Sequence, residues 1–187
     1  MSTACGRPWS SPGDPGDPPG PDIVSSPIKR RRDGRYVIRL DANARVVLAN
    51  LAAQLPGALD ARDPMVRRLF PPAYTSDDQT AAEQDYRELV DTALTNHHLR
   101  SLETLVSTAE ADSLTEEEFL AWLDAVGSLR LVPGTRLDVH EDMDAPDPQD
   151  PQAAEYGLFV FLGELQYLMV ELLAEDLPDE GRPEGAL

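Results

Sequence analysis

The sequence predicts a mainly α protein, a compact helical bundle carrying an N-terminal β-hairpin. Three observations lead to that class. Apolar side chains recur at helical spacing through most of residues 41–174. Strict alternation occurs once, at Tyr36, Ile38 and Leu40 beside Asp33-Gly34. Proline- and glycine-rich breaks then separate the periodic segments and mark their ends.

Residues 1–27 hold seven prolines and four glycines among few apolar residues. Such a stretch cannot bury enough surface to offset the entropy of ordering, so a disordered tail is expected. Ile28–Leu40 reads as a hairpin turning through the two residues Asp33-Gly34, with Arg35, Val37 and Arg39 on the face opposite Tyr36, Ile38 and Leu40. Asp41 is suited to cap a helix that carries Val47, Leu48, Leu51 and Leu55 and stops at Pro56. After a Gly57–Asp63 link, a short helix over Pro64–Phe70 starts with proline in its first turn and ends at Pro71-Pro72.

Asp77–Glu110 reads as one long helix, or as two joined near Asn96. Its stripe is Tyr86, Leu89, Val90, Ala93, Leu94, Leu102, Leu105 and Val106. Thr115 with Glu118 forms a capping box ahead of Phe119, Trp122, Leu123, Val126 and Leu129. Pro133-Gly134 is a helix-breaking pair that should end this element. Asp138–Gln152, with three prolines and six acids, is expected to be a solvated acidic loop. The last helix, about Ala153–Ala174, carries Leu158, Phe161, Leu162, Leu165, Leu168, Met169 and Leu172. That apolar surface is broad enough to make it the expected most buried element. Residues 28–174 thus form a single helical domain, followed by a disordered acidic tail over 175–187.

Charge bounds the function more tightly than any motif. The formal net charge is -18, yet Ile28–Arg68 has ten basic and four acidic side chains, and Asp138–Leu187 has fourteen acids and one arginine. A uniformly acidic chain is repelled by polyanions, whereas a basic front with an acidic rear can hold two unlike surfaces. Binding is therefore favoured over catalysis. Lys29, Arg30, Arg31, Arg32, Arg35 and Arg39 form a ribbon able to contact phosphate or an acidic partner; the plainer reading is a solvated edge strand whose charges block aggregation. No helix-turn-helix is visible between Asp41 and Phe70.

Arg130 and Arg136 either brace the last helix by pairing with Glu164 or Glu171, or line a groove for an acidic partner. Adjacent His97 and His98 point about 100° apart on a helix and cannot share a metal as i, i+4 histidines do. No nucleotide loop, nucleophile elbow or paired-carboxylate motif is present, so no catalytic, cofactor or metal residues are assigned. Cys5 is the only cysteine, which excludes an intramolecular disulfide and multi-cysteine metal sites and fits a cytoplasmic, reducing setting. There is no secretory leader pattern, and Glu164, Gln166 and Glu171 make the apolar Tyr156–Leu173 stretch too polar for a membrane span. Nothing in the sequence fixes a homo-oligomeric state.

The run Trp122–Leu137 resembles the signature of a family from high-GC Gram-positive bacteria, a domain of unknown function also described as AosR-type oxidative-stress transcriptional regulators. The resemblance extends to Arg31-Arg32-Asp33-Gly34, the Asp41 helix start, Leu69-Phe70-Pro71-Pro72-Ala73-Tyr74 and the Tyr156–Leu173 helix, covering most of residues 28–173. It implies control of oxidative-stress and sulfur-metabolism genes through thiol oxidation and a protein partner in the transcription machinery. The chain departs from that pattern at the thiol, because sensing within one chain needs two cysteines that meet and only Cys5 is present; as a candidate redox thiol, Cys5 could still bridge two subunits or pick up a small thiol. The expected function is that of a non-enzymatic regulator that binds protein and is a candidate for DNA contact, the alternative being an adaptor without DNA contact.

Overall fold

A computed structural model describes residues 27–175; Cys5 and the two terminal segments lie outside the described residues. Two antiparallel strands, β1 (Ile28–Arg30) and β2 (Tyr36–Ile38), pair Ile28 with Ile38, Lys29 with Val37 and Arg30 with Tyr36. Their connection is not a two-residue turn. Arg31 N donates to Arg35 O and Gly34 N to Arg31 O, which leaves a three-residue loop, Arg32–Gly34. Such a loop is a type I turn closed by one residue at positive φ, and Gly34 supplies it at +81°. Tyr36 and Ile38 face inward as alternation requires. The Tyr36 ring stacks on Phe119 at 4.1 Å between centroids, while its backbone exchanges hydrogen bonds with Leu114.

Helix α1 (Ala42–Asp60) is capped by Asp41, whose side chain accepts from Ala44 N at 2.8 Å. It runs through Pro56 rather than stopping there. An internal proline costs about 3 kcal/mol, and burial of Leu55 on one side of it and Leu59 on the other outweighs that cost. The link to the next element therefore shrinks to Ala61–Asp63. Pro64–Leu69 is a 3-10 helix, N-capped by Asp63, that buries Val66 and Leu69 against the rest of the domain.

After a 3-10 turn at Asp77–Gln79, α2 (Thr80–Thr108) is one continuous helix with no joint at Asn96. Its buried residues, Ser101, Leu102 and Leu105, all belong to its C-terminal half. Leu89, expected in the apolar stripe, is 80% exposed, and Val106 is exposed as well. Thr115 and Glu118 form the expected capping box of α3 (Glu116–Arg136), with Thr115 N donating to Glu118 Oε2 at 2.7 Å. Pro133-Gly134 does not break this helix; both residues are buried inside it, and the chain turns only at Leu137.

The exposed segment at 138–152 leads to α4 (Ala153–Ala174). Contrary to expectation, α3 is the most buried helix. It packs against α1, α2, α4 and the 3-10 helix and buries Phe119, Trp122, Ala125, Val126 and Leu129, whereas α4 buries only Leu162, Leu165 and Met169. By length and composition alone α4 is also long and apolar enough to cross a membrane, which corrects the sequence reading; its buried side chains face α3.

Candidate interaction surface

The hairpin cations divide into anchored and exposed groups. Arg35 is anchored: its Nε donates to Ser113 Oγ and its Nη2 to Ser113 O, each at 2.8 Å, so it ties the hairpin to the α2–α3 corner. Lys29 is partly buried, while Arg30, Arg31, Arg32 and Arg39 are exposed. Arg30 lies over the Tyr36 ring at 5.7 Å, and Arg31 approaches Asp33 at 3.6 Å. A basic patch therefore exists, narrower by Arg35 than the sequence pattern suggests.

Arg45, which sequence reasoning missed, fixes where that patch sits. From the first turns of α1 its guanidinium donates to Ile38 O and Leu40 O at the end of the hairpin, and to Ala109 O and Ala111 O at the end of α2. Hydrogen bonds from a charged donor contribute about 1.5–3 kcal/mol each, so this one side chain welds three elements. Nothing in the linear pattern distinguishes Arg45 from a surface arginine on an amphipathic helix.

Arg130 and Arg136 do not reach Glu164 or Glu171. Arg136 instead pairs with Glu155 at 2.9 Å. Arg130 lays its guanidinium on the Phe159 ring at 4.7 Å, and its buried Nε has no hydrogen-bond partner. This belongs to a repeating fit between α3 and α4. Side chains enter the notches left by glycines: Gln166 at Gly127, Arg130 at Gly163, Phe159 at Gly134. An added Cβ would meet them at 3.1, 3.1 and 3.2 Å. Steps of three and four along α3 match steps of three and four in the opposite direction along α4, as antiparallel helices require.

A cleft of about 580 Å³ opens between the end of α1, the 3-10 helix and α2, with Leu59, Val66 and Phe70 in its walls and Arg62, Arg67, Arg68 and Arg87 around it. These arginines are partnered: Arg62 by Asp91, Arg67 and Arg68 by Asp138, and Arg87 by Glu83. Glu83 also accepts from Ala73 N and Tyr74 N. These bonds, that from Tyr74 first, hold its pKa below the usual carboxylate value, and they tether the Pro71–Tyr74 turn to α2. Asp91, Asp138 and Glu83 thus offset most of the positive charge around the cleft.

His97 and His98 diverge as expected: His97 approaches Asp124 at 3.2 Å, and His98 Nδ1 shares a hydrogen bond with Ser128 Oγ at 3.0 Å. Among the described residues no group of three or more His, Cys, Asp and Glu side chains is placed to hold a metal.

Residues 25–173 match the protein family described as Domain of unknown function (DUF2017). The chain belongs to this family. The DUF2017 match spans the whole hairpin and every helix described above, ending one residue short of the end of α4. A relative from Mycobacterium leprae (strain TN), described as "Putative oxidative stress regulator AosR", is 32% identical over 135 residues. That alignment covers 60% of this chain and 59% of the relative, so the chain spans a little over half of that protein's length. No solved structure matches the chain.

Proposed function

We propose that this DUF2017 chain is a non-enzymatic regulatory protein of the oxidative-stress response, working in the cytoplasm by binding a protein partner and DNA. The observation that carries the reading is the exposed basic hairpin, fixed by Arg35 and Arg45 on an otherwise acidic chain. The similarity to the Mycobacterium leprae protein described as a "Putative oxidative stress regulator" supports the regulatory half of it. Exposed Arg30, Arg31 and Arg32 cluster at the hairpin tip, where planar guanidinium forks can engage phosphate bidentately.

The test is replacement of Arg30, Arg31 and Arg32 together by glutamine, followed by fluorescence titration with duplex DNA at several salt concentrations. The expected outcome is weaker binding to all sequences and a shallower dependence on salt. Unchanged affinity and slope would remove DNA from the proposal and favour a second reading, an adaptor that contacts proteins only. One observation independently favours that second reading: α4 leaves apolar side chains exposed on a face with no neighbour among the described residues.

A further inference from the structure

We propose that the outer face of α4 is a docking site for a basic amphipathic helix of a partner protein. α4 is the most apolar of the described helices, yet only Leu162, Leu165 and Met169 are fully buried, with Leu158, Phe161, Leu168, Leu172 and Leu173 partly buried against the core. Val160, Tyr167 and Val170 are 37%, 62% and 47% exposed. They occupy a stripe, Gly157, Val160, Glu164, Tyr167 and Val170, whose steps of three and four residues keep it on one side of the helix. Single exposed hydrophobes are ordinary on protein surfaces; three on one side of a single helix, with Glu164 among them, form a patch that can take a partner.

Charge selects the occupant. Glu164 lies on the stripe and Glu171 beside it, both exposed, and α4 contains no lysine or arginine. The nearest basic residues in sequence are Arg136 and Arg182. A second α4 could bring no cation to these glutamates in any alignment, and an anionic bilayer would repel them. A partner helix with apolar residues at three- and four-residue spacing, flanked by lysine or arginine, satisfies both the stripe and its acidic rim. Tyr167 is the natural anchor, offering a large, amphipathic surface with few rotamers to freeze.

This inference rests on the reading that the chain acts by binding protein, and its test is independent of the hairpin. The probe is a synthetic helical peptide of about three heptads with a leucine stripe and lysine or arginine flanks, alongside a twin carrying glutamate flanks. Fluorescence anisotropy should show binding of the basic peptide only. Tyr167→Ala with Val170→Ala should weaken it about tenfold or more while leaving circular dichroism and Tm unchanged. Leu89→Ala, on the exposed part of α2, should leave it intact. If the double variant loses stability, Glu164→Gln with Glu171→Gln gives an independent reading: lower affinity with a flatter salt dependence. Equal binding of both peptides, or full binding by the α4 variants, overturns the proposal. So does a reversible dimer abolished by Tyr167→Ala, which would assign the face to a second copy, or co-sedimentation with phosphatidylserine vesicles, which would assign it to lipid. Loss of hairpin-dependent DNA binding would leave this surface untouched, and the converse also holds.

Discussion

His98 shows how a single side chain couples this fold to pH. Burial, above all, pushes its pKa below the ordinary 6.5; neighbouring His97 pushes the same way, while the Leu69 backbone and Asp124 oppose. Ser128 Oγ holds Nδ1 and Phe70 packs edge-on to the ring. Because the folded pKa is depressed, the unfolded chain binds the proton more readily. The neutral imidazole's contribution is therefore complete above pH 6.5 and is lost as pH falls through the lower, folded value. His98→Gln should remove this component, so that the stability difference between wild type and variant in urea denaturation narrows as pH falls from neutrality toward 5. A difference independent of pH would mean that His98 is already solvated. Such a role was not legible in the sequence, where His97-His98 looks like a polar helix face; only the packing of α2 on α3 separates the exposed ring from the enclosed one.

The α3–α4 pair sets the architecture at the level of elements, and glycine is what lets the two helices approach. Glycine costs a helix about 1 kcal/mol relative to alanine, so alanine at Gly134 gains helix propensity but meets Phe159 at 3.2 Å. Gly134→Val, which adds volume and a branched Cβ, should destabilise by about 1–3 kcal/mol. Trimming the opposing ring, Gly134→Val with Phe159→Leu, should recover part of that loss in a double-mutant cycle; additive effects would contradict the notch. The element boundaries that depend on local chemistry could be read from the chain: Asp41, Thr115 with Glu118, and the Ala153–Ala174 span all stand where expected. Those judged from breakers failed at Pro56 and Pro133-Gly134, because tertiary burial overrode local propensity at both places. The burial order of α3 and α4 was hidden for a related reason. Hydrophobicity alone states what a helix can bury, not how many neighbours the fold provides for it.

At the scale of the whole molecule the governing quantity is the net charge of -18. The described ion pairs are mostly exposed and each contributes little, about 0–1 kcal/mol, so long-range repulsion is the larger electrostatic effect. Raising the salt from about 0.02 to 0.5 M shortens the Debye length severalfold, and Tm should rise with it. A fall in Tm would show that pairs such as Arg62–Asp91 and Arg136–Glu155 outweigh the repulsion. The segregation of charge, the helical class and the family resemblance were all legible in the chain. The proposed binding surfaces were legible only in part. The basic hairpin announces itself by composition, while the exposed stripe on α4 could not be told from a core stripe before its neighbours were known.

The three notches between α3 and α4 also fix the angle through which α4 is rolled about its own axis. With Gln166, Gly163 and Phe159 locked against Gly127, Arg130 and Gly134, the helix cannot rotate to hide Tyr167 without ejecting a side chain from its slot. The outward stripe is therefore preorganised, so that the entropy lost on docking of the proposed partner would fall mainly on that partner.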